Sequence, residues 1–261
     1  MSRFNAKNQS GFTLVELVTV IVILGILAVG MSNFLQFGSR IFAETSARDE
    51  LVSSARFAVE RLNREVRHAV PNSVKVDNAS GNCLSFYPII TSTIYIDLPV
   101  SPEADRDEVA IIPFDDSNIA LVDNVIVYPL SASDFEPSAN SKYHPFTLPL
   151  DKTASPWILN FADPLSFASD SPTQRIYFIG KSVSYCVVGT QLIRSSDGNS
   201  SLMADDILNY YNANNVAAFK VTEASQTRNA TIQMRLLFGV NGEDSGEQVT
   251  FNNEIQVPNV P

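Results

Sequence analysis

Near the amino terminus, one cleavable junction and one carboxylate have the residue types and spacing to do chemistry. Gly11 and Phe12 join a polar leader, MSRFNAKNQS, to a long apolar stretch, and Glu16 is the only charged residue between Phe12 and Arg40. Cleavage after Gly11 would leave a positively charged amine on Phe12, four residues before the carboxylate. A carboxylate in a membrane helix costs about 2.5–3.5 kcal/mol, so it usually has a partner and a function. The alternative is that Glu16 reaches the headgroups from one turn inside the interface and does nothing more.

The element that must hold these groups is an apolar segment long enough to cross a membrane. The residues from Leu17 to Ser39 form an uncharged run of 23 residues, and about 20 residues of helix span the hydrocarbon core. In a secretory signal the small-residue cleavage site follows the apolar region, whereas Gly11 precedes it here. Cleavage would therefore leave the helix on the mature protein. The basic residues Arg3 and Lys7 in the leader predict a cytoplasmic amino terminus.

Length and composition limit the remaining possibilities. The chain has 261 residues and a net charge of −10, which becomes −12 without the leader, and this acidity argues against nucleic-acid binding. The part beyond the membrane segment, about 220 residues, is enough for one sizeable domain or two small ones. His68 and His144 are the only histidines and lack metal spacing, and no phosphate-binding GxxxxGK[ST] sequence occurs. Acidic clusters could take calcium but form no EF-hand loop, so they are interpreted as solvated. No enzyme, metal or cofactor is predicted.

The two cysteines, Cys83 and Cys186, both lie on the predicted outer side of the membrane. An even cysteine count in an oxidising compartment predicts one disulfide. A bond across 103 residues of sequence would add about 4–5 kcal/mol of stability in the loop-entropy model. The alternative is a pair of buried free thiols.

Residues 40–70 are predicted to continue the helix beyond the membrane. The apolar positions recur at steps of three and four and form one stripe, made of Leu51, Ala55, Ala58, Leu62, Val66 and Ala69. The opposite face is charged, and Glu60 and Arg64 are four residues apart in the favourable order for an ion pair. Pro71 is predicted to end the helix. A helix from Phe12 to Val70 would be about 88 Å long.

After Pro71 the pattern is that of strands. The candidate strands are 73–77, 83–90, 93–98, 108–113, 124–128, 175–179, 182–188, 191–195, 216–222, 230–238 and 247–257. Gly189-Thr190 predicts a hairpin turn, 241–246 predicts the turn before the last strand, and 203–210 predicts a short helix or an irregular segment. No helix–strand alternation occurs, so the predicted fold is α+β with a mainly antiparallel sheet.

Residues 129–173 differ from their surroundings because they contain half of the 14 prolines and six aromatic residues. A long structureless loop is uncommon unless it is functional or disordered. Two interpretations are equally favoured. The segment is either a loop packed by its own aromatic side chains or an insertion that binds a partner.

The stretch Gly11-Phe12-Thr13-Leu14-Val15-Glu16 resembles the processing site of type IV prepilins and pseudopilins. The resemblance implies cleavage by a prepilin peptidase, methylation of Phe12 and pairing of Glu16 with the Phe12 amine of a neighbouring subunit. It also implies a pilin-like fold with four parts. These are a leader (1–11), a transmembrane helix (12–39), a periplasmic amphipathic helix (40–70) and a β-rich periplasmic domain (71–261) with the proline-rich insertion. Major pilins usually have a helix-breaking proline in the membrane segment, where this chain has only Gly25, Gly30 and Gly38.

Later stretches resemble the biogenesis proteins of MSHA (mannose-sensitive haemagglutinin) pili. They are 56–67, 81–84 and 246–261, and Ser184-Tyr185 with 189–194 extends a broader similarity to the PilW and GspJ families. The resemblance implies a single-pass inner-membrane protein that contacts other major and minor pilins, with the assembly platform and its ATPase acting indirectly. It predicts a minor pilin that starts a pilus or lies at its tip. A pseudopilin of type II secretion and a tip adhesin that binds through 129–173 are the alternatives.

Overall fold

The computed structural model describes most of the chain. The described residues are 11–77, 79–136, 142–147, 149–153, 155–211, 215–224, 228–239 and 248–258. The leader through residue 10 and the predicted turn at 241–246 lie outside them. The chain divides into two compact units, residues 1–50 and 51–261.

Apart from two short 3-10 helices, one long helix and fourteen strands make up the regular structure of the described residues. They are α1 (Leu14–Arg67), β1 (Lys75–Val76), β2 (Cys83–Phe86), β3 (Ile89–Asp97), β4 (Arg106–Ile111), β5 (Asn124–Val127), β6 (Tyr143–Pro145), β7 (Trp157–Leu165), β8 (Arg175–Ile179), β9 (Val183–Val188), β10 (Gln191–Ser196), β11 (Asn199–Ala204), β12 (Phe219–Thr222), β13 (Ala230–Gly239) and β14 (Gln248–Val257). Every pairing between these strands is antiparallel. The α+β prediction is confirmed.

The first unit is the apolar part of α1. Its large hydrophobic side chains are exposed along the whole segment, and Phe34, for example, is 75% exposed. By length and composition this helix is able to cross a membrane. The helix is continuous through Gly25, Gly30 and Gly38, so the glycines do not replace the proline of major pilins as a helix break.

In the second unit, α1 buries the predicted stripe. Leu51, Ala55, Ala58, Leu62 and Val66 are all buried in one core, which they share with residues of β2, β9, β10, β12, β13 and β14. The stripe prediction is therefore confirmed.

The helix ends at Arg67, earlier than Pro71 predicts. The amide of Ile89 donates to the carbonyl oxygen of His68 (2.9 Å), and the amide of Val70 donates to that of Tyr87 (2.9 Å). The chain leaves the helix early because it pairs with the segment that joins β2 to β3.

The strands form three sheets, two of which pack on this helix segment. The five-stranded sheet has the order β1-β2-β9-β10-β11, the three-stranded sheet β12-β13-β14 and the six-stranded sheet β6-β5-β8-β3-β4-β7. The first two sheets contribute to the core of α1, whereas the six-stranded sheet has a core of its own that includes Tyr95, Phe167 and Phe178.

The six-stranded sheet is an insertion between two neighbouring strands. All of its strands, β3 to β8, lie in sequence between β2 and β9, which pair with each other. At the point of insertion Phe86 is paired with Val183, and three pairs away Cys83 faces Cys186. Cys83 and Cys186 form a disulfide with a Cα–Cα distance of 4.1 Å. The chain therefore leaves and re-enters the five-stranded sheet at almost the same place.

The described residues of 129–173 contribute strands to this inserted sheet, so they do not form only a loop, which was one of the two interpretations. They supply a short 3-10 helix, β6 and β7, and Phe135, Phe161 and Phe167 are buried in the cores of the sheet. β6 and β7 are the two edge strands of the sheet, and they contain Pro145 and Pro164. An edge strand tolerates proline because its outer amides need no partner. Proline content therefore marks the edges of the sheet here.

Of the two forms predicted for 203–210, a short helix or an irregular segment, the helix is not formed. Met203 and Ala204 end β11, and Ile207 forms a β-bridge to Phe238. β11 follows a two-residue turn with positive φ at Asp197 and Gly198, the Asp-Gly combination that suits a tight hairpin. The predicted turn at Gly189-Thr190 is confirmed between β9 and β10.

A cluster of charged side chains joins α1 to the five-stranded sheet through ion pairs and hydrogen bonds. The Glu65 carboxylate accepts hydrogen bonds from Nε of Arg61 (3.0 Å) and from Nε of Arg194 on β10 (2.8 Å and 3.1 Å). Burial alone would raise the pKa of Glu65, but the hydrogen bonds from Arg194 and Arg61 outweigh it and lower the pKa below 4.5. The ion pair between Glu60 and Arg64 that the spacing predicts is not formed. We call Arg61, Glu65 and Arg194 the Glu65 clamp.

We expect Glu65→Gln to lower the free energy of unfolding by about 1–3 kcal/mol at neutral pH, because two guanidinium groups lose their charged acceptor. The folded-state pKa of Glu65 lies below its ordinary value of 4.5, so this stabilisation is present above that pH and is lost as the pH falls further. Urea unfolding of both proteins from neutral to acid pH measures the difference, which should shrink toward the acid end.

The matched control is Glu60→Gln. Glu60 is an exposed acid on the same helix without an ion pair among the described residues, and its substitution should change the free energy of unfolding by less than about 0.5 kcal/mol. Equal losses in the two variants would contradict the role of the clamp.

Candidate functional site

The helix begins two residues after the Gly11–Phe12 junction, and Thr13 caps it. The Thr13 carbonyl oxygen accepts the first helical hydrogen bond from the amide of Leu17 (3.2 Å), and its Oγ1 accepts one from the amide of Glu16 (3.3 Å). Thr13 is thus the N-cap and Glu16 the third helical residue, the spacing of a capping box. The Thr-x-x-Glu pattern of residues 13–16 is thus explained by capping of the helix. The pattern is visible in the sequence and could have predicted the cap, but it was not used above.

Gly11 and Phe12 precede the helix and carry no regular structure. Phe12 is 83% exposed. A Cβ atom added at Gly11 would meet nothing within 4 Å. The folded chain therefore does not itself require glycine at this position, and a requirement for glycine would have to come from a molecule that reads the junction.

The Glu16 carboxylate is exposed and makes no ion pair with any described residue. Its position in the first turn of α1 favours a negative charge, because the helix dipole is positive there. The same position disfavours a cation at the helix start. A carboxylate in an apolar environment therefore has to find its positive partner outside the described part of its own chain.

The histidines and acidic residues of the described chain have packing and hydrogen-bonding partners of their own in several places. No group of three or more His, Cys, Asp or Glu side chains there could hold a metal ion. The ring of His144 packs edge-on against Phe161 and Phe167 in the inserted sheet. Asp205, which adjoins Asp206 in an acidic pair, accepts hydrogen bonds from Thr190 and Gln191, so this acid has a structural role.

Comparison with known proteins identifies two similarities. Residues 6–32 match the model of the prokaryotic N-terminal methylation motif. The type IV major pilin protein PilA of Myxococcus xanthus (strain DK1622) is 32% identical over 103 aligned positions, which cover 32% of this chain and 43% of the relative. The chain thus spans less than half of the length of this curated relative. No solved structure matches the chain.

These two findings support the type IV pilin family. The methylation motif covers Gly11, Phe12 and Glu16, and it covers the start of the apolar helix as well. The processing, membrane anchoring and partners of this chain are therefore matters for the proposal below.

We expect Thr13→Ala to loosen the first turn of α1 by about 1 kcal/mol, because the amide of Glu16 loses its side-chain acceptor. Hydrogen exchange at the amides of Glu16 and Leu17, measured in lipid nanodiscs, should become about fivefold faster. Thr13→Ser keeps the hydroxyl and is the matched control, with exchange close to that of the wild type. Equal acceleration in both variants would show that Thr13 is not the cap.

Proposed function

We propose that this chain is a minor pilin or pseudopilin that helps to start the assembly of a type IV pilus of the MSHA kind, in or near the tip complex. The observation that carries this proposal is the exposed Gly11–Phe12 junction directly before a capped apolar helix with Glu16 in its first turn. The resemblance of 56–67, 81–84 and 246–261 to the MSHA pilus biogenesis protein MshO supports the finer assignment.

In this proposal the chain has four functional parts. The leader (1–11) stays in the cytoplasm until a prepilin peptidase removes it, and residues 12–39 anchor the mature protein in the inner membrane. Residues 40–70 and the β-rich part (71–261) lie in the periplasm, where an oxidising environment supports the disulfide between Cys83 and Cys186. The mature protein then passes into the pilus with other major and minor pilins, driven by the assembly platform and its ATPase.

The large periplasmic part supports a specialised subunit rather than the bulk of a fibre. The core around α1 already uses the five-stranded and three-stranded sheets, and the six-stranded sheet is added to it between β2 and β9. In a subunit that repeats along a fibre, this extra sheet would have to fit between neighbouring subunits at every repeat. A subunit at the tip does not have this restriction.

The first test of the proposal is the processing site. When the full chain is co-expressed with a prepilin peptidase, the mature protein should begin with N-methylated Phe12, which amino-terminal sequencing and mass spectrometry detect. Gly11→Val should abolish cleavage while leaving the fold intact, because a side chain fits at this position.

Gly25→Val is the matched control, since Gly25 has the same open surroundings but lies inside the helix. This variant should be cleaved normally. A mature protein that starts elsewhere, or that keeps Met1 in the presence of the peptidase, would overturn the assignment.

The second test concerns Glu16 in assembly. Two unit charges about 4 Å apart attract by about 4 kcal/mol at an effective dielectric constant of about 20. Within one helix the amine of Phe12 would lie about 6 Å lower along the axis and at the positive pole of the dipole. A neighbour displaced along the fibre brings its own amine to Glu16 without these penalties.

We expect Glu16→Gln to leave membrane insertion and cleavage unchanged and to reduce co-purification with partner pilins about tenfold, with fewer pili in cells that lack the wild-type copy. Glu44→Gln is the control, because Glu44 lies on α1 beyond the apolar run and should assemble normally. Normal pilus numbers with Glu16→Gln would show that Glu16 is only a tolerated interfacial residue.

A further inference from the structure

A cavity of about 740 Å³ lies in the second unit, between the end of α1, β10 and the turn that joins β8 to β9. Its volume falls within the range of about 300–1,000 Å³ that small-molecule sites occupy. Its lining includes the apolar residues Phe86, Ile90, Leu121 and Val183, and it also includes Arg64, His68 and Arg194. The side chain of Leu121 is 64% exposed, which is a large exposed fraction for an apolar residue that lines a cavity.

Arg194 presents donors to this cavity from a fixed position. Its Nε is bound by both oxygens of Glu65, at 3.1 Å and 2.8 Å, and its side chain is 20% exposed. No hydrogen bond to a described residue uses the two terminal amino groups of this guanidinium. The Glu65 clamp therefore holds the planar group in place and leaves the donors that best fit a carboxylate open.

Arg64 adds a second guanidinium to the lining of the same cavity. It lies four residues after Glu60 and could pair with it, yet no ion pair forms and Arg64 lines the cavity instead. Glu65, the neighbour of Arg64 in sequence, binds Arg194. Both arginines therefore belong to the part of the cavity lining around Glu65.

His68, one turn after Arg64, is oriented by that residue. Its Nδ1 lies 2.8 Å from the carbonyl oxygen of Arg64. Because a carbonyl oxygen can only accept, Nδ1 carries the hydrogen, and Nε2 remains for another partner. A protonated imidazole would donate from Nε2 and would add to the affinity for an anion.

The acidic groups around the cavity are mostly neutralised. Glu65 is held by Arg61 and Arg194, and Asp197 is paired with Lys181. Asp123 accepts a hydrogen bond from the side-chain amide of Asn124 (3.2 Å), and a carboxylate at this position disfavours an anion on its own side. An anion is therefore best placed on the side of α1, between Arg64 and Arg194.

We propose that this cavity binds a small organic acid, with a carboxylate held by Arg64 and Arg194 and an apolar body lying against Ile90 and Leu121. A carbohydrate fits less well, because sugars stack on exposed aromatic faces and Phe86 is only 1% exposed. Inorganic phosphate would leave the apolar part of the lining unused. The site does not depend on the proposed role in pilus assembly.

The test uses hexanoate and hexanamide as probes of the full chain in lipid nanodiscs. The two have nearly the same shape, but only hexanoate is charged. Methyl NMR signals of Ile90, Leu121 and Val183 report on the cavity, and those of Ile94, Ile96 and Ile112 report on exposed apolar groups elsewhere. Hexanoate should cause saturable shifts at the first set only, and hexanamide should bind about tenfold more weakly or not at all.

Arg64→Gln should weaken hexanoate binding about tenfold without altering the rest of the spectrum. Arg56→Gln is the matched control, because Arg56 is exposed on the same helix and does not line the cavity. Equal binding of hexanoate and hexanamide, equal losses in the two variants, shifts in both sets of methyl groups, or no saturable shift with hexanoate would each overturn the proposal.

Discussion

The second unit depends on the close approach of α1 to the strands around it. Ala55 and Ala58 are completely buried, and these small side chains let the sheets come near the helix backbone while they keep its helical propensity high. Leu51, Leu62 and Val66 fill the space on either side. Because interiors are packed almost without voids, a larger side chain at either alanine would displace strands of both surrounding sheets at once. The Glu65 clamp lies beside this stripe. Because the stripe fixes the position of the helix, it also determines the geometry of the clamp.

The other half of α1 is subject to the opposite constraint. In the first unit its apolar side chains are exposed on every face, so this segment is stable only where lipid or other apolar helices cover it. One continuous helix thus carries a part that is buried by its own chain and a part that has to be buried by something else. At the amino-terminal end of α1, the Thr13 hydroxyl accepts a hydrogen bond from the amide of Glu16. In a membrane interior no water molecule could accept this hydrogen bond instead.

The sequence predicted those features that depend on residues close together. The apolar run, the stripe of Leu51 to Val66 and most strands are of this kind, whereas the cysteine pair, 103 residues apart, was predicted from the even cysteine count. Long-range contacts decided the rest. Glu65 rather than Glu60 is paired because Arg194 approaches from β10, and 129–173 forms edge strands because β4 and β5 offer free edges. The cavity could not be predicted at all, because its walls come from segments that only the topology brings together.

The insertion of six strands between β2 and β9 also affects when the disulfide can form during synthesis. Cys83 leaves the ribosome 103 residues before Cys186, which at about 5–20 residues per second is an interval of about 5–20 s. The six-stranded sheet is synthesised within this interval, and it can fold before its two flanking strands meet. Cys83 meanwhile has no partner in its own nascent chain. It is therefore exposed to thiols of other molecules until Cys186 arrives, and the speed of synthesis limits how early the correct disulfide can form.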